Sequence, residues 1–315
     1  MNRCPITYEE CGECAYSQRG LRLLNKNLSN LNNFPLTASE QRREALIRAG
    51  KISIQGVQPK LSARLSVKKS VFEVADKGGR YILKPQHSTY AELPENESLS
   101  MHLADITGLN VPLNGLVYSR DDTLTYFIKR FDRAGKATKL ATEDFAQLSG
   151  KDRDTKYNSS MEKVIVLIEQ HCTFPAVERA KLFRRSLFSF LIGNEDMHLK
   201  NFTLIRRKDM IELSPLYDYL NTTIAMQAMG KPLKEIEELA LPLKGRKHEL
   251  TRKDWIDYFG RDRLQLTGKV VDDCLQRFKI SVPKWRDLIT ISFMSDSMKK
   301  LYSELVQQRC AVLEL

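Results

Sequence analysis

The 315-residue chain is 42% hydrophobic and 28% charged, apolar and long enough for a sizeable core and unlike a disordered or fibrous sequence. Lysine and arginine number 50 against 39 aspartates and glutamates, a formal charge of +11, which fits either a polyanionic partner (nucleotide, nucleic acid, acidic protein surface) or a lysine-rich solvated surface. No apolar run reaches the roughly 18 residues of a spanning helix, and Met1-Asn2-Arg3-Cys4-Pro5 lacks the apolar core of a signal peptide, so a cytoplasmic protein without a membrane partner is expected.

In chain order, residues 1–34 are polar, with Leu21, Leu23, Leu24, Leu28 and Leu31 giving a short helical pattern at best. Thr37-Ala38-Ser39-Glu40 reads as a capping box that opens a helix through about Ala49. From Ile52 to Lys84 the texture changes to short alternating runs, Leu61–Val67, Val71–Val74 and Tyr81–Lys84, with Lys77-Gly78-Gly79 as a turn, which predicts an antiparallel meander. Pro94–Gly108 has Leu99, Leu103 and Ile106 at helical spacing and a glycine at its end. Two strand-like runs follow, Gly115–Ser119 and Leu124–Lys129, around Asp121-Asp122.

After Phe131-Asp132-Arg133 the period is helical: Glu143–Leu148, Met161–Gln170, Ala176–Ile192, Lys253–Phe259, Val270–Phe278 and Trp285–Val306. A hairpin interrupts them, Phe202–Ile205 and Met210–Leu213 flanking Arg206-Arg207-Lys208-Asp209. The expected class is α+β, strand-rich first and helix-rich after. Cys4, Cys11, Cys14, Cys172, Cys274 and Cys310 are too scattered for a disulfide framework and are read as reduced thiols. Cys11-Gly12-Glu13-Cys14 with Cys4 upstream resembles half of a zinc site, but a structural zinc needs four ligands and no nearby Cys or His supplies the fourth.

The chemistry-bearing stretch is Gly193-Asn194-Glu195-Asp196-Met197-His198-Leu199-Lys200-Asn201, followed across the hairpin by Asp218. Phosphoryl transfer depends on positioning and charge neutralisation, so a kinase needs a base, two metal-binding oxygens and cations on the phosphates. Asp196 fits the base, and Asn201 and Asp218 fit magnesium, which takes oxygen ligands and keeps waters. His198 and Lys200 lie between them, to contact phosphate or brace the loop. Taken singly these are turn residues; the order Asp, Asn, hairpin, Asp after an apolar helix favours a catalytic loop.

Lys84 ends a strand, where a kinase places its lysine for the α- and β-phosphates. Glu97, or else Glu95, is the carboxylate to pair with it, and an exposed strand-end lysine is the alternative. The loop Ser53-Ile54-Gln55-Gly56-Val57-Gln58-Pro59-Lys60 has a single glycine and matches no phosphate-loop motif. Lys60 is within reach of a phosphate. Phosphorylation of Ser53 would add about −1.5 to −2 charges there and displace nucleotide.

Together with Gly56-Val57-Gln58-Pro59-Lys60, Leu83-Lys84-Pro85, Leu93-Pro94-Glu95-Asn96-Glu97, Lys129-Arg130-Phe131-Asp132-Arg133 and Leu216-Tyr217-Asp218, the loop resembles that of the HipA-like serine/threonine kinases of bacterial toxin–antitoxin modules, over residues 50–310. The resemblance implies a bilobal, protein-kinase-like fold using MgATP: a helical extension 1–50, an N-lobe 51–132 with the Gly-rich loop, and a helical C-lobe 133–315. Asp196 becomes the base, with His198 and Lys200 beside it, and Asn201 and Asp218 the metal ligands. Ser53, Gly56, Val57, Gln58, Lys60, Lys84 and His198 become nucleotide contacts. Lys129 and Phe131 offer hinge backbone to adenine, Asp132 faces the ribose, and Ser53 matches the inhibitory autophosphorylation serine.

Full-length members carry a further N-terminal domain, whereas only residues 1–52 precede Ser53. The chain therefore looks like the short form, HipT, of HipBST systems, with a HipS-like small protein and a HipB-like DNA-binding antitoxin as partners and DNA reached only through the antitoxin. Gln55 stands where some short forms have a second serine. The implied substrate is an aminoacyl-tRNA synthetase, the tryptophanyl enzyme by likeness to HipT or the glutamyl enzyme by likeness to the wider family. Two rival readings remain open at this level: a non-catalytic subunit of a DNA-bound repressor, and a small-molecule kinase.

Overall fold

The structure, a computed structural model, describes residues 2–48, 58–135 and 138–315. It opens with an antiparallel ladder of β1 (Asn2–Arg3) and β2 (Glu10–Gly12). Next come α1 (Gln18–Leu24), capped by the Ser17 hydroxyl, and α2 (Ala38–Arg48). The Thr37 capping box forms: Thr37 N donates to Glu40 Oε2 at 2.8 Å and Glu40 N to Thr37 Oγ1 at 3.2 Å, satisfying donors that a helix start leaves free. α1 carries Leu21, Leu23 and Leu24 of the short helical pattern expected in residues 1–34, and the ladder before it was not expected. Cys4, Ile6 and Tyr8, in the connection between the ladder's two strands, are all buried and anchor it.

β3 (Leu61–Ser66), β4 (Val71–Val74), β5 (Tyr81–Lys84), β6 (Asn114–Tyr118) and β7 (Leu124–Lys129) form an antiparallel sheet in the order β4-β3-β5-β7-β6. The N-terminal segment hangs on its β6 edge, Leu116 N donating to Pro5 O at 2.9 Å. Alternation along the strands sends Leu83 and Phe127 into one core with Cys4, Ile6, Leu21 and Phe34, and Tyr126 and Ile128 into the other, beneath α3 (Leu93–Ile106). Each large apolar side chain so buried contributes about 1.5–3 kcal/mol. The register sets Lys84 opposite Tyr126, so the alternation that buries Leu83 on one face turns Lys84 to the face of α3.

A short ladder of β8 (Arg133–Ala134) and β9 (Thr138–Lys139) leads to β10 (Thr142–Asp144), α4 (Phe145–Leu148), α5 (Met161–His171) and α6 (Pro175–Ile192). The expected helix 143–148 begins late, because Thr142–Asp144 pairs instead with β11 (Thr203–Arg207) and Asp144 Oδ1 accepts Gln147 N at 2.9 Å as the cap of α4. β11 turns through Lys208, at φ +54°, into β12 (Met210–Leu213), completing a three-stranded sheet.

After α7 (Thr222–Ala228), Asp254–Arg263 winds with π-helical turns. α8 (Gly268–Thr290) then runs through Pro283, and α9 (Asp296–Leu313) restarts from the Ser295 cap. The helix expected at Trp285–Val306 is thus two: Ser295 Oγ accepts Met298 N, and Ser295 N donates to Glu92 Oε2 at 2.8 Å. Among the described residues no helix is long and apolar enough to cross a membrane.

Candidate active site

α6 ends at Gly193, whose φ of +72° turns the chain into the loop carrying Asp196. Side-chain amides hold this loop. Asp196 N donates to Asn194 Oδ1 at 3.4 Å, and Asn201 Nδ2 donates to Asp196 O at 2.8 Å, closing the turn behind a carboxylate that stays 43% exposed. Asn194 also reaches the next segment, its Nδ2 lying 3.5 Å from Asp218 O. Asp218 sits in the left-handed region at φ +57°, a conformation that aspartate and asparagine tolerate better than most residues.

The centre of the cluster is Lys84. Its Nζ lies 2.6 and 2.8 Å from the Glu97 carboxylate oxygens and 2.5 Å from Asp218 Oδ1. Burial works against the lysine charge, but the Asp218 and Glu97 carboxylates outweigh it and raise the ammonium's pKa. Two carboxylates compete for one cation, and they do so unequally. Burial drives the fully enclosed Glu97 up to about 7, with Asp218 pushing the same way and Lys84 opposing. Asp218 has a 37% exposed side chain; burial alone would raise it, and Lys84 with Lys60 hold it lowered. Glu95, the other candidate partner for Lys84, instead accepts from Gln86 Nε2 at 2.7 and 2.9 Å.

His198 is buried, and its Nε2 lies 2.7 Å from Lys156 Nζ and 4.0 Å from Asp196 Oδ2. A lysine only donates, so Nε2 accepts and the proton of the neutral ring sits on Nδ1. Burial, opposed by Asp196 and aided by Lys156, lowers the pKa of this histidine. Nδ1 is a buried atom with no hydrogen-bond partner among the described residues, a donor suited to an anionic oxygen. With Asn201 Nδ2 spent on the loop, Oδ1 is left as that side chain's acceptor. Asn201 Oδ1 and the Asp218 carboxylate are the hard oxygen donors that magnesium takes. Among the described residues no group of three or more His, Cys, Asp or Glu side chains is placed to hold a metal. The six cysteines are free thiols.

The remaining expected site residues lie as follows. Lys200 Nζ pairs with Asp144 Oδ2 at 3.1 Å, and Lys200 O accepts from Tyr217 Oη at 2.9 Å, so Lys200 braces the loop. Lys129 N donates to Leu113 O at 2.8 Å, so only its carbonyl remains to serve a hinge. Phe131 lies 5.4 Å, ring to ring, from Tyr217, the neighbour of Asp218. Asp132 is engaged by Arg130 at 2.8 Å and by Arg133. Lys60 is exposed, and Gln58 Nε2 is buried without a partner among the described residues. Ser53, Gly56 and Val57 lie outside the described residues.

Sequence reasoning missed two sets of residues. Asn96 and Asn221 bond reciprocally behind the cluster. Tyr157 donates its hydroxyl to Asp196 Oδ1 at 2.5 Å, from a loop without periodicity.

A strand lysine joined to a helix glutamate and to the carboxylate beyond a hairpin defines a kinase-like arrangement. Residues 52–285 match the HipA-like C-terminal domain, and the chain belongs to that family. It is 31% identical over 265 residues to a Haemophilus influenzae protein named "Putative kinase", covering 78% of this chain and 74% of that one. It is 26% identical over 194 residues to the serine/threonine-protein kinase toxin HipA of Shewanella oneidensis, but that match spans 54% of this chain and only 43% of HipA. In fold it resembles a chain of the Shewanella oneidensis complex of HipA, HipB and operator DNA, with a TM-score of 0.67 at 22% identity over 91% of this chain and 75% of that one. The Helicobacter pylori proinflammatory kinase CtkA has a TM-score of 0.55 at 17% identity, covering 76% of this chain and 90% of CtkA.

Proposed function

We propose that this chain is an MgATP-dependent serine/threonine protein kinase, the toxin of a bacterial toxin–antitoxin module. Two lobes, residues 51–132 and 133–315, would enclose the cleft, with residues 1–50 packed ahead of them. The observation that carries the reading is Lys84 held between Glu97 and Asp218. One ammonium against two carboxylates leaves negative charge that a divalent cation balances, and the lysine is oriented for the α- and β-phosphates. Asn201 and Asp218 would hold magnesium. Lys84, Lys60 and His198 would take phosphate oxygens, with Gly56, Val57 and Gln58 in the covering loop. The Lys129 carbonyl and the Phe131 backbone would face adenine, and Asp132 the ribose.

Bound MgATP supplies a γ-phosphoryl group whose developing charge the metal neutralises. The chain's own residues do the rest: Asp196 takes the acceptor hydroxyl's proton, and Asn194, Asn201 and Lys200 keep it in place. By likeness to the short form HipT, the acceptor is an aminoacyl-tRNA synthetase, the tryptophanyl enzyme first and the glutamyl enzyme second. Ser53 is the autophosphorylation site, and HipB-like and HipS-like proteins are the partners.

Phosphoproteomics after brief induction of wild-type and Asp196→Asn protein tests this. Removing a general base lowers transfer by about 100- to 10,000-fold. The wild type alone should mark one synthetase and Ser53. Equal phosphorylation by Asp196→Asn would overturn the assignment of the base, and no new phosphoprotein from either would overturn the kinase reading.

A further inference from the structure

One oxygen of the proposed base is already taken by another part of the chain, while the side chain stays 43% exposed. Tyr157 Oη donates to Asp196 Oδ1 at 2.5 Å while its ring stands edge-on to His198, with centroids 5.1 Å apart. Lys156 pins the same dipeptide to the loop: its Nζ contacts His198 Nε2 at 2.7 Å and lies 4.9 Å from the Tyr157 ring centre, and its carbonyl accepts Leu199 N at 3.3 Å. The dipeptide comes from the connection between α4 and α5, where Asp152 Oδ1 accepts from both Asp154 N and Thr155 N and fixes the preceding turn. A general base must lie within hydrogen-bond reach of the hydroxyl it deprotonates, and here a phenol hydroxyl holds that place.

We infer that Tyr157 marks the acceptor subsite and fills it: the Lys156–Tyr157 dipeptide stands where an acceptor segment presents its hydroxyl to Asp196, and must leave before transfer. The inference rests on the kinase reading above. It assigns the acceptor entrance to the 150–160 connection, at the carboxylate of Asp196, whose backbone carbonyl the Asn201 amide holds. The chemistry it takes is a side-chain hydroxyl on a segment able to displace an aromatic ring and a lysine. Lys156 feels Asp196, Arg153 and Lys200 electrostatically, Tyr157 feels Glu195 as well as Asp196, and Lys200 is paired with Asp144, so the incoming segment meets a rim of mixed charge.

Water is the smallest hydroxyl acceptor, so the test needs no identified substrate. Steady-state hydrolysis of ATP is measured with magnesium for wild type, Tyr157→Phe, Lys156→Gln and Asp196→Asn, beside amide hydrogen exchange of residues 150–160 without nucleotide. Losing a hydrogen bond to a charged group is expected to raise hydrolysis by about tenfold in Tyr157→Phe and less in Lys156→Gln, with faster exchange across 150–160 in both. Hydrolysis by Tyr157→Phe equal to or below that of an active wild type would overturn the inference, because a residue that merely positions Asp196 lowers turnover when removed. If neither wild type nor Tyr157→Phe hydrolyses ATP while wild type still phosphorylates protein on induction, the inference alone is overturned; if that phosphorylation is absent too, the kinase reading fails and takes the inference with it. Hydrolysis that survives in Asp196→Asn would show that Asp196 is not the group being covered.

Discussion

Asn96 and Asn221 face each other across two hydrogen bonds, Asn96 Nδ2 donating to Asn221 O at 2.9 Å and Asn221 N donating to Asn96 Oδ1 at 2.8 Å. Both side chains are fully buried. The pair latches α3, one residue from Glu97, to the segment three residues beyond Asp218, and so fixes the separation of the two carboxylates that share Lys84.

Asn96→Ala is therefore expected to leave the Asn221 peptide N–H and C=O buried without partners. The cost should be about 2–4 kcal/mol, at about 1–3 kcal/mol for each unsatisfied group with some relaxation. Urea denaturation measures it. A loss below about 0.5 kcal/mol would mean that water or a backbone shift replaces the latch.

Asp218 should separate stability from activity. Removing one of two carboxylates competing for Lys84 leaves a one-to-one pair with Glu97, and asparagine keeps the left-handed backbone that Asp218 adopts at φ +57°. Asp218→Asn is expected to lose phosphotransfer entirely but only part of its urea stability at neutral pH, where the carboxyl that Lys84 and Lys60 hold lowered contributes to the fold. Asp218→Ala should be about 1 kcal/mol less stable than Asp218→Asn, because alanine carries the full left-handed penalty. Equal stability of the two would argue that the backbone relaxes.

The loop at 193–201 stood out in the sequence because the proposed chemistry needs particular residue types at close spacing. The face of Lys84 was legible too, from the strand alternation that buries Leu83. Choosing between Glu95 and Glu97 was not a matter of pattern. Two positions apart on a helix they point about 200° apart, yet both are buried, Glu95 against Gln86 just beyond β5 and Glu97 against Lys84, so the packing of α3 decides which one meets the lysine. The Asn96–Asn221 latch spans 125 residues of sequence, and no local signal announces a pair so distant. Tyr157 lies in a polar connection where neither period nor turn chemistry marks a side chain for a distant carboxylate. At the other end of the chain, Cys4, Ile6 and Tyr8 alternate as a strand would yet lie in the connection between β1 and β2, whose two and three residues are too few to carry a period.

Glu95 should impose a pH dependence on stability. Burial pushes its carboxyl up to about 7, with the Gln86 amide opposing and Glu92 assisting. The unfolded chain releases the same proton near pH 4.3, as an ordinary glutamate does. Between these values the folded state binds more protons, so this residue's contribution is fully present below about pH 4 and is lost as pH rises through about 7, on the order of 3 kcal/mol in all. Glu95→Gln keeps an acceptor for the Gln86 amide and removes the titration. Its urea stability relative to wild type is expected to grow steadily from pH 4.5 to pH 8. Parallel curves over that range would show that Glu95 ionises in the fold without penalty.

Gly193 should be the least replaceable residue of the loop. Its φ is +72°, and a Cβ there would collide with the Leu305 side chain of α9 and lie 2.8 Å from Asn221 Oδ1. That oxygen is committed, accepting Ile224 N at 3.0 Å as the cap of α7. Gly193 O is committed as well, accepting from Thr223 N at 3.1 Å and Thr223 Oγ1 at 2.9 Å. Gly193→Ala combines a left-handed penalty of about 1 kcal/mol with overpacking of about 1–3 kcal/mol, and both fall on the joint between Asp196 and the Asp218 segment. The expected outcome is a loss of about 2–4 kcal/mol in urea denaturation together with loss of ATP turnover. The paired variant Gly193→Ala with Leu305→Ala separates the causes. Relief of the collision should restore part of the stability, and no recovery at all would place the whole cost in the backbone.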